Sequence, residues 1–236
     1  MTMRPMRWSA IAAFLVLLAP VLALAAGTAW WCGRYLHALG DMRGVAVGAA
    51  AIVCLYAYAV AQHRLLLWIA PLREGAIGAG GEQEFRYQVY ILYYLFLLNT
   101  LIRCRAIPIP LMRLVYLALG ARLGANSYSA GIIFDPMFVT IGGNTLVGES
   151  ALLVPHVIEG GAIAHYRISI GNNVTIGAHA VVLAGASIGD GAIVAANSVV
   201  TKRTCIRAGE TWAGTPARRM GALPAAVTPV PVNRTG

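Results

Sequence analysis

A six-residue repeat that runs from Leu123 to Thr211 constrains the fold more than any other feature of the chain. Glycine is frequent at the second place of each hexad, and a small or β-branched residue is usual at the fifth. The first place is held, in one register, by an aliphatic residue or a stand-in: Leu123, Ser129, Asp135, Ile141, Val147 and Leu153, then, after an interruption, Ile170, Ile176, Val182, Ile188, Val194, Val200 and Ile206. Such periodicity is typical of a parallel β-helix, in which three hexads form one triangular coil, and it predicts roughly four coils.

The composition indicates that part of the chain lies in a membrane. Of its 236 residues, 58% are hydrophobic and only 11% are charged, which is less charge than a soluble domain carries. The net charge of +9 comes almost entirely from arginine, since Lys202 is the only lysine. No aromatic-basic patch accompanies this charge, so we expect no nucleic-acid partner. Anionic lipid headgroups and an acidic cofactor explain the positive charge better.

Residues 1–73 are predicted to form a transmembrane helical hairpin that anchors the protein. Two apolar stretches, residues 8–31 and residues 44–62, are long enough to cross a bilayer. The arginine distribution favours both ends on the cytoplasmic side of the inner membrane. A cleaved signal peptide ending near Ala25 is the alternative for the first stretch. Because apolarity continues through Trp30 and Trp31, an uncleaved helix is favoured.

The remaining segments follow from local composition. Residues 74–84 are glycine-rich and polar, and are predicted to be a linker. Residues 85–120 are predicted to form interfacial and amphipathic helices; a third transmembrane helix over 85–102 is the alternative, and it would move the solenoid to the opposite side of the membrane. The solenoid is placed at 121–221, and residues 222–236 are expected to be a disordered tail.

Chemistry on a β-helix is expected at its interruptions. The repeat breaks between Ile158 and Ile170, and His156 stands directly before that break. A histidine there is placed to act as a general base, although a histidine at a surface corner has the same spacing. Asp135 replaces an aliphatic residue at a first hexad position, where it is expected to orient an imidazole, contact substrate or cap a turn. Glu159 is a further candidate, either fixing the tautomer of His156 or lying solvated in the loop.

Two other histidines, His165 and His179, raise the question of a metal site. The γ-class carbonic anhydrases, which are also β-helices, place histidines right after a hexad glycine and five residues on. Ala178 and Leu183 occupy those places here. We therefore expect no metal.

The solenoid segment resembles the hexapeptide-repeat acyltransferases over about ninety residues. The pattern they share is a set of isoleucine-glycine hexads, a histidine-bearing loop, a serine-valine-valine segment and a closing proline motif. In this chain the pattern comprises Ile141-Gly142, His156, Ile170-Gly171 to Ile188-Gly189, Asn197-Ser198-Val199-Val200 and Gly214-Thr215-Pro216-Ala217-Arg218. A longer series, which adds residues 119–124 and Asp135-Pro136, is similar to the β-helix domains of polylysine-type membrane peptide synthetases.

The resemblance implies a left-handed β-helix, a homotrimer with active sites between neighbouring solenoids, and acyl-CoA as co-substrate. It implies His156 as the general base, with Asp135 and Glu159 as further catalytic candidates. The residues implied for the donor site are Ala178, Ala196, Lys202, Arg203, Gly214, Pro216 and Arg218. Two residues depart from the family pattern, Thr175 for an aromatic and Asn197 for a glycine, which puts the donor contacts there in doubt.

Together these features predict a membrane-anchored, cytoplasm-facing acyltransferase. It would move an acyl group from acyl-CoA to a membrane-associated acceptor, such as a lipid-linked sugar, an aminolipid or a surface-polymer precursor. Two alternatives stay open on sequence alone. One is a condensation-type transfer from a carrier-protein thioester to an amine, and the other is a non-catalytic trimeric scaffold in the membrane.

Overall fold

Two long apolar helices begin the protein, which is described by a computed structural model over residues 4–104 and 106–220. Helix α1 spans Trp8–Gly33 and helix α2 spans Arg43–Ile69, with a 3₁₀ helix at His37–Met42 between them. Helix α1 has 26 residues and helix α2 has 27. Among the described residues, these two helices are long and apolar enough to cross a membrane by length and composition. Most of their large side chains face outward.

The two long helices pack against each other along their length. The Thr28 hydroxyl lies 2.9 Å from the Tyr58 hydroxyl, and the Gln62 amide donates to the Leu17 carbonyl at 2.9 Å. Gly33 permits close approach at the far end, since a Cβ there would lie 2.7 Å from a methyl group of Val47. The pair is therefore an antiparallel hairpin.

A second helical layer lies between this hairpin and the solenoid. It runs from α3 (Glu82–Tyr93) through a π-helical turn (Tyr94–Leu98) into α4 (Asn99–Arg103), and α5 (Ile109–Ala118) follows. Its tyrosines are buried rather than facing outward: Tyr87, Tyr90, Tyr93 and Tyr94. Glu84 and Gln88 are buried with them. The segment predicted as interfacial helices thus covers the solenoid.

The solenoid consists of short strands joined by tight corners. With the strand that precedes it, β1 (Gly75–Ile77), the strands are β2 (Arg122–Leu123), β3 (Tyr128–Ser129), β4 (Ile132–Ile133), β5 (Val139–Ile141), β6 (Leu146–Val147), β7 (Leu152–Val154), β8 (His156–Glu159), β9 (Ala162–His165), β10 (Ile168–Ile170), β11 (Thr175–Ile176), β12 (Val181–Leu183), β13 (Ser187–Ile188), β14 (Ile193–Val194), β15 (Val199–Val200), β16 (Cys205–Ile206), β17 (Thr211–Ala213) and β18 (Arg218–Arg219). Three sheets form the faces: β16-β13-β10-β5-β2, β18-β17-β14-β11-β6-β3 and β15-β12-β7-β4.

The hexad register predicted from the sequence is confirmed by the strand pairing. On the first face Ile141 pairs with Leu123 and Ile170, and the ladder continues through Ile188 to Ile206. Side chains on a strand alternate between the two faces, so every first-place residue points into the same narrow core. The last four residues of this ladder are each at most 3% exposed. The fold is the predicted parallel β-helix.

A β-hairpin leaves the solenoid at the interruption of the repeat. Strands β8 and β9 pair antiparallel, and β1 adds to the free edge of β9, with Gly75 opposite His165 and Ile77 opposite Ile163. Residues 74–84, predicted as a linker, therefore contain strand β1 and the start of α3. The physical reason is that a hairpin extending from the solenoid has an unpaired edge, which another strand stabilises.

Arg4 connects the N-terminus to this hairpin. Its guanidinium donates to the Gly161 carbonyl at 3.0 Å and to the Ile77 carbonyl at 2.8 Å, and it pairs with Glu84 at 3.1 Å. The beginning of α1 and the end of α2 consequently lie at the same end of the helical hairpin as the solenoid. The predicted disordered tail, residues 222–236, lies outside the described residues.

Replacing Gly177 by alanine is expected to destabilise the solenoid. A Cβ at Gly177 would lie 2.4 Å from the backbone nitrogen of Ala196 on the next coil, and crowding of this kind costs about 1–3 kcal/mol. Gly143→Ala is the matched control at another corner, because its Cβ would come no closer than 3.4 Å to its surroundings. Thermal melts followed by circular dichroism should show a clearly lower Tm for Gly177→Ala alone. Equal melts for the two variants would contradict the proposed coil spacing.

Candidate active site

His156 and Asp135 form a hydrogen-bonded pair where the hairpin leaves the solenoid. The Nδ1 atom of His156 lies 2.6 Å from Oδ2 of Asp135. Asp135 has a left-handed backbone conformation (φ 42°) just before the 3₁₀ helix Pro136–Phe138, which takes it out of the strand register. Its side chain is 4% exposed, whereas that of His156 is 29% exposed. The structure thus brings together two of the three predicted catalytic residues.

Tyr90 provides the second hydrogen bond to the Asp135 carboxylate. Its hydroxyl donates to Oδ1 of Asp135 at 2.7 Å, so each carboxylate oxygen has one hydrogen-bond partner. Tyr90 belongs to α3 and is itself buried. No motif or spacing in residues 85–120 of the sequence identifies Tyr90 as the residue that binds Asp135.

The charge state of the pair follows from its surroundings. Burial raises the pKa of Asp135, but the hydrogen bond with His156 and the electrostatic interactions with the His156 and His165 side chains outweigh burial and lower it. Burial and the Asp135 charge raise the pKa of Tyr90 well above its usual value, so Tyr90 remains a donor. An ionised Asp135 accepts from Nδ1–H of His156, which leaves Nε2 of the imidazole able to take up a proton.

A cavity of about 270 Å³ opens beside this pair. The helical layer forms one wall, and the solenoid with its hairpin forms the other. We call it the histidine cavity, and its lining residues are Tyr87, Ile91, Tyr94, Leu95, Asn99, Arg103, Phe134, Asp135, His156, Ile158 and His165. A small molecule in this cavity would therefore lie against the exposed part of the His156 ring.

Glu159, the third predicted catalytic residue, is engaged elsewhere. It lies at the end of β8, largely exposed, and forms an ion pair with Lys202. The carboxylate that holds Nδ1 of His156 is that of Asp135. Glu159 instead connects the hairpin tip to the corner that follows β15, two coils further along the solenoid, through Lys202.

The predicted donor-site residues lie at two different corners of the triangular coil. One group follows the second face: Ala178, Ala196, Gly214 and Pro216. These coils are closely stacked, with the Asn197 nitrogen donating to the Ala178 carbonyl at 3.0 Å. Arg218 is exposed on β18, shortly after Pro216.

Lys202 and Arg203 form the second group, at the corner from which the hairpin leaves. The Arg203 guanidinium lies 4.7 Å from the Tyr166 ring centre, and its backbone nitrogen donates to Ala184 at 3.0 Å. Within one copy of the chain, these two residues share a corner with His156, and the first group does not.

His165 lies deep in the histidine cavity. His165 stacks on Phe138 at 4.7 Å between ring centres, and Tyr87 meets it edge-on at 5.6 Å. Over residues 4–104 and 106–220, no group of three or more histidine, cysteine or acidic side chains is arranged to hold a metal ion.

Comparisons with known proteins agree with the repeat. Residues 167–202 match the family model described as bacterial transferase hexapeptide (six repeats). The chain is 37% identical over 99 residues to galactoside O-acetyltransferase of Escherichia coli (strain K12), covering 37% of this chain and 49% of the relative. It is 44% identical over 79 residues to 2,3,4,5-tetrahydropyridine-2,6-dicarboxylate N-acetyltransferase of Staphylococcus aureus (strain MRSA252), covering 34% of this chain and 31% of the relative.

Solved structures of similar proteins include a galactoside acetyltransferase in complex with coenzyme A, which is 24% identical to this chain. The match covers 62% of this chain and 85% of that chain, with a TM-score of 0.45. Another is a hexapeptide-repeat acetyltransferase of Vibrio cholerae O1 biovar eltor complexed with acetyl coenzyme A, which is 23% identical to this chain. The match covers 63% of this chain and 92% of that chain, with a TM-score of 0.44. The chain spans about half the length of the first curated relative and about a third of the second. The predicted resemblance to the hexapeptide-repeat acyltransferases is confirmed.

Removing the Asp135 charge should change how stability depends on pH. Because the pKa of Asp135 is lowered on folding from its usual 3.8, its contribution is present above that pH and is lost as pH falls through the folded pKa. The stability difference between wild type and Asp135→Asn should therefore shrink as pH falls below about 4.

Chemical denaturation across this pH range measures the difference. Tyr116→Phe is the control, since it removes a neutral buried hydroxyl bonded to the Gly131 carbonyl at 3.0 Å. Its stability difference from wild type should stay constant with pH. A constant difference for Asp135→Asn as well would mean that the carboxylate gains nothing from His156 and Tyr90.

Proposed function

We propose that this protein is a membrane-anchored acyltransferase that moves an acyl group from acyl-CoA to a membrane-associated acceptor. The observation that carries the proposal is the hydrogen-bonded series Tyr90–Asp135–His156, which ends at the histidine cavity. This series is built on a hexapeptide-repeat solenoid. The relatives named above transfer acetyl groups, one to oxygen and one to nitrogen, so the acceptor atom is a hydroxyl oxygen or an amine nitrogen.

The proposed mechanism uses His156 as a general base. Nε2 of His156 accepts the proton of the acceptor as its oxygen or nitrogen attacks the thioester carbonyl. The Asp135 carboxylate stabilises the imidazolium that forms, and Tyr90 keeps the carboxylate in place. The tetrahedral intermediate then expels the thiolate, which takes up the proton from His156. A thiol is a good leaving group because its pKa is about 8.5, so no strong acid is needed.

Binding of the donor is proposed to require a second copy of the chain. Lys202 and Arg203, which are exposed and basic, are suited to the phosphates of coenzyme A. Ala178, Ala196 and Pro216 lie at another corner of the solenoid, on successive coils. The resemblance implies a homotrimer. In it, a neighbouring solenoid would place its own Ala178, Ala196 and Pro216 beside His156.

Membrane anchoring is supported by the arrangement of the helices. The proposed hairpin α1–α2 exposes large apolar side chains along most of its length, Val16, Leu24, Val45 and Ile52 among them. Arg4 binds Gly161 of the β8–β9 hairpin and Ile77 of β1. Cleavage of a signal peptide after Ala25 would remove Arg4 and these contacts, which favours an uncleaved helix. With the solenoid in the cytoplasm, the helical layer over the histidine cavity would lie at the surface of the inner membrane.

Replacing His156 by alanine should abolish transfer without abolishing donor binding. General-base catalysis contributes roughly 10²–10⁴-fold in rate, so turnover of acetyl-CoA should fall by at least about a hundredfold. Acetyl-CoA should still raise the Tm of the variant, because binding to the folded state stabilises it.

His179→Asn is the control for this experiment. His179 is an exposed corner histidine with φ 58°, a conformation that asparagine tolerates. It should keep full activity. Full activity in His156→Ala would disprove the mechanism, and no Tm shift with any CoA thioester in wild type would disprove acyl-CoA as the donor.

The topology predicts opposite accessibility of two native cysteines. Cys32 is exposed near the far end of α1, and Cys205 is exposed on β16 of the solenoid. In variants that retain only one of them, a membrane-impermeant maleimide should label Cys205 in inside-out vesicles and Cys32 in spheroplasts. Both should react after detergent is added. Labelling of both from the same side would contradict a hairpin that crosses the membrane.

A further inference from the structure

We propose that His165 and Tyr94 bind a second polar group of the acceptor, beside the hydroxyl or amine that is acylated. This inference rests on the proposed function and narrows the acceptor to headgroups such as polyols and amino alcohols. It depends on two buried polar side chains of the histidine cavity that the mechanism does not use.

His165 is buried without a hydrogen-bond partner. Its relative exposure is 0%, and neither ring nitrogen has a partner among the described residues. Phe138 stacks on one face of the ring and Tyr87 contacts the ring at a steep angle, so the cavity is where a polar partner would reach the imidazole. A buried imidazole without hydrogen bonds lowers the stability of the fold, unless a ligand supplies the missing partner.

Tyr94 is a second unpaired polar group on the opposite wall. It is 5% exposed, and its hydroxyl has no partner among the residues that the structure describes. By contrast, the neighbouring buried tyrosines Tyr90 and Tyr93 both have bonded hydroxyls. Tyr94 therefore lines the cavity with a buried hydroxyl that has no hydrogen-bond partner among the described residues.

These two side chains flank His156. His165 lies directly opposite His156 in the β8–β9 pairing. On the other side, Tyr94 packs against Phe134 at 6.3 Å, and Phe134 packs against the His156 ring at 5.8 Å. A group bound to either residue would therefore be held next to the atom that His156 deprotonates.

The size of the cavity limits what can bind. Its volume of about 270 Å³ is near the lower end of the roughly 300–1,000 Å³ usual for ligand sites. It therefore suits one headgroup of ring size, with any hydrocarbon chain outside. A simple alcohol would leave His165 and Tyr94 unpaired, whereas a polyol would pair with them.

The first measurement is the stability of the protein without acceptor. Tyr94→Phe and His165→Phe should keep or raise the Tm, because each removes a buried polar group that has no partner. Tyr116→Phe should lower it, because the Tyr116 hydroxyl is bonded to the Gly131 carbonyl. A drop for Tyr94→Phe equal to that for Tyr116→Phe would overturn the proposal.

The second measurement is acceptor selectivity, with acetyl-CoA as donor and octyl glucoside, 1-octanol or octylamine as acceptor. Wild type should favour octyl glucoside over 1-octanol by about fivefold or more, since leaving one buried polar group unpaired costs at least about that factor in binding. Tyr94→Phe and His165→Phe should lose this preference through a raised KM for octyl glucoside. Their KM for acetyl-CoA should not change, because the proposed donor contacts involve neither residue.

The outcomes separate this inference from the proposed function. Transfer to 1-octanol or octylamine that depends on His156, with no preference for octyl glucoside, would overturn the role of His165 and Tyr94 and leave the acyltransferase intact. A preference that both variants retain would also overturn it. Absence of any acetyl-CoA turnover dependent on His156 would overturn the proposed function, and this inference with it.

Discussion

The buried carboxylate of Asp135 is the interaction on which the rest of the arrangement depends. A carboxylate on a side chain with 4% exposure is stable only when donors replace the water it has lost. One donor comes from the solenoid hairpin, through His156, and the other comes from α3, through Tyr90. The same side chain therefore fixes the imidazole and the position of the helical layer over the solenoid. Losing either donor would leave a buried charge incompletely paired, which is costly.

The hairpin that carries His156 is held at several points. Strand β1 covers the edge of β9, Arg4 binds the hairpin tip at Gly161, and Lys202 pairs with Glu159 next to the same tip. None of these contacts touches the imidazole. They matter because a base has to be held close to the productive geometry to act. The short stretch before α1 thereby affects the position of a catalytic candidate more than 150 residues away.

How far the sequence leads depends on whether a contact is local or distant. The hexads repeat the same local geometry, so their register and the core could be predicted and were confirmed. Asp135 could be predicted as a candidate site residue because it breaks that pattern. The Tyr90 hydrogen bond spans 45 residues, between a helix and a solenoid corner, and no periodicity encodes it. Likewise, the glycines of residues 74–84 indicate a flexible linker, and only the exposed edge of β9 explains why a strand forms there.

The buried polar side chains around His156 distinguish an enzyme from a non-catalytic scaffold. A solenoid that served only to hold a membrane complex together would be at least as stable with apolar residues in place of a buried ion pair. Here the first hexad place at 135 holds a carboxylate, and the adjoining cavity contains His165 and Tyr94 without protein partners. His165 and Tyr94 each lower stability as long as no ligand pairs with them. Their concentration around one partly exposed imidazole therefore favours catalysis, since strain and unpaired groups of this kind collect at sites where a substrate completes them.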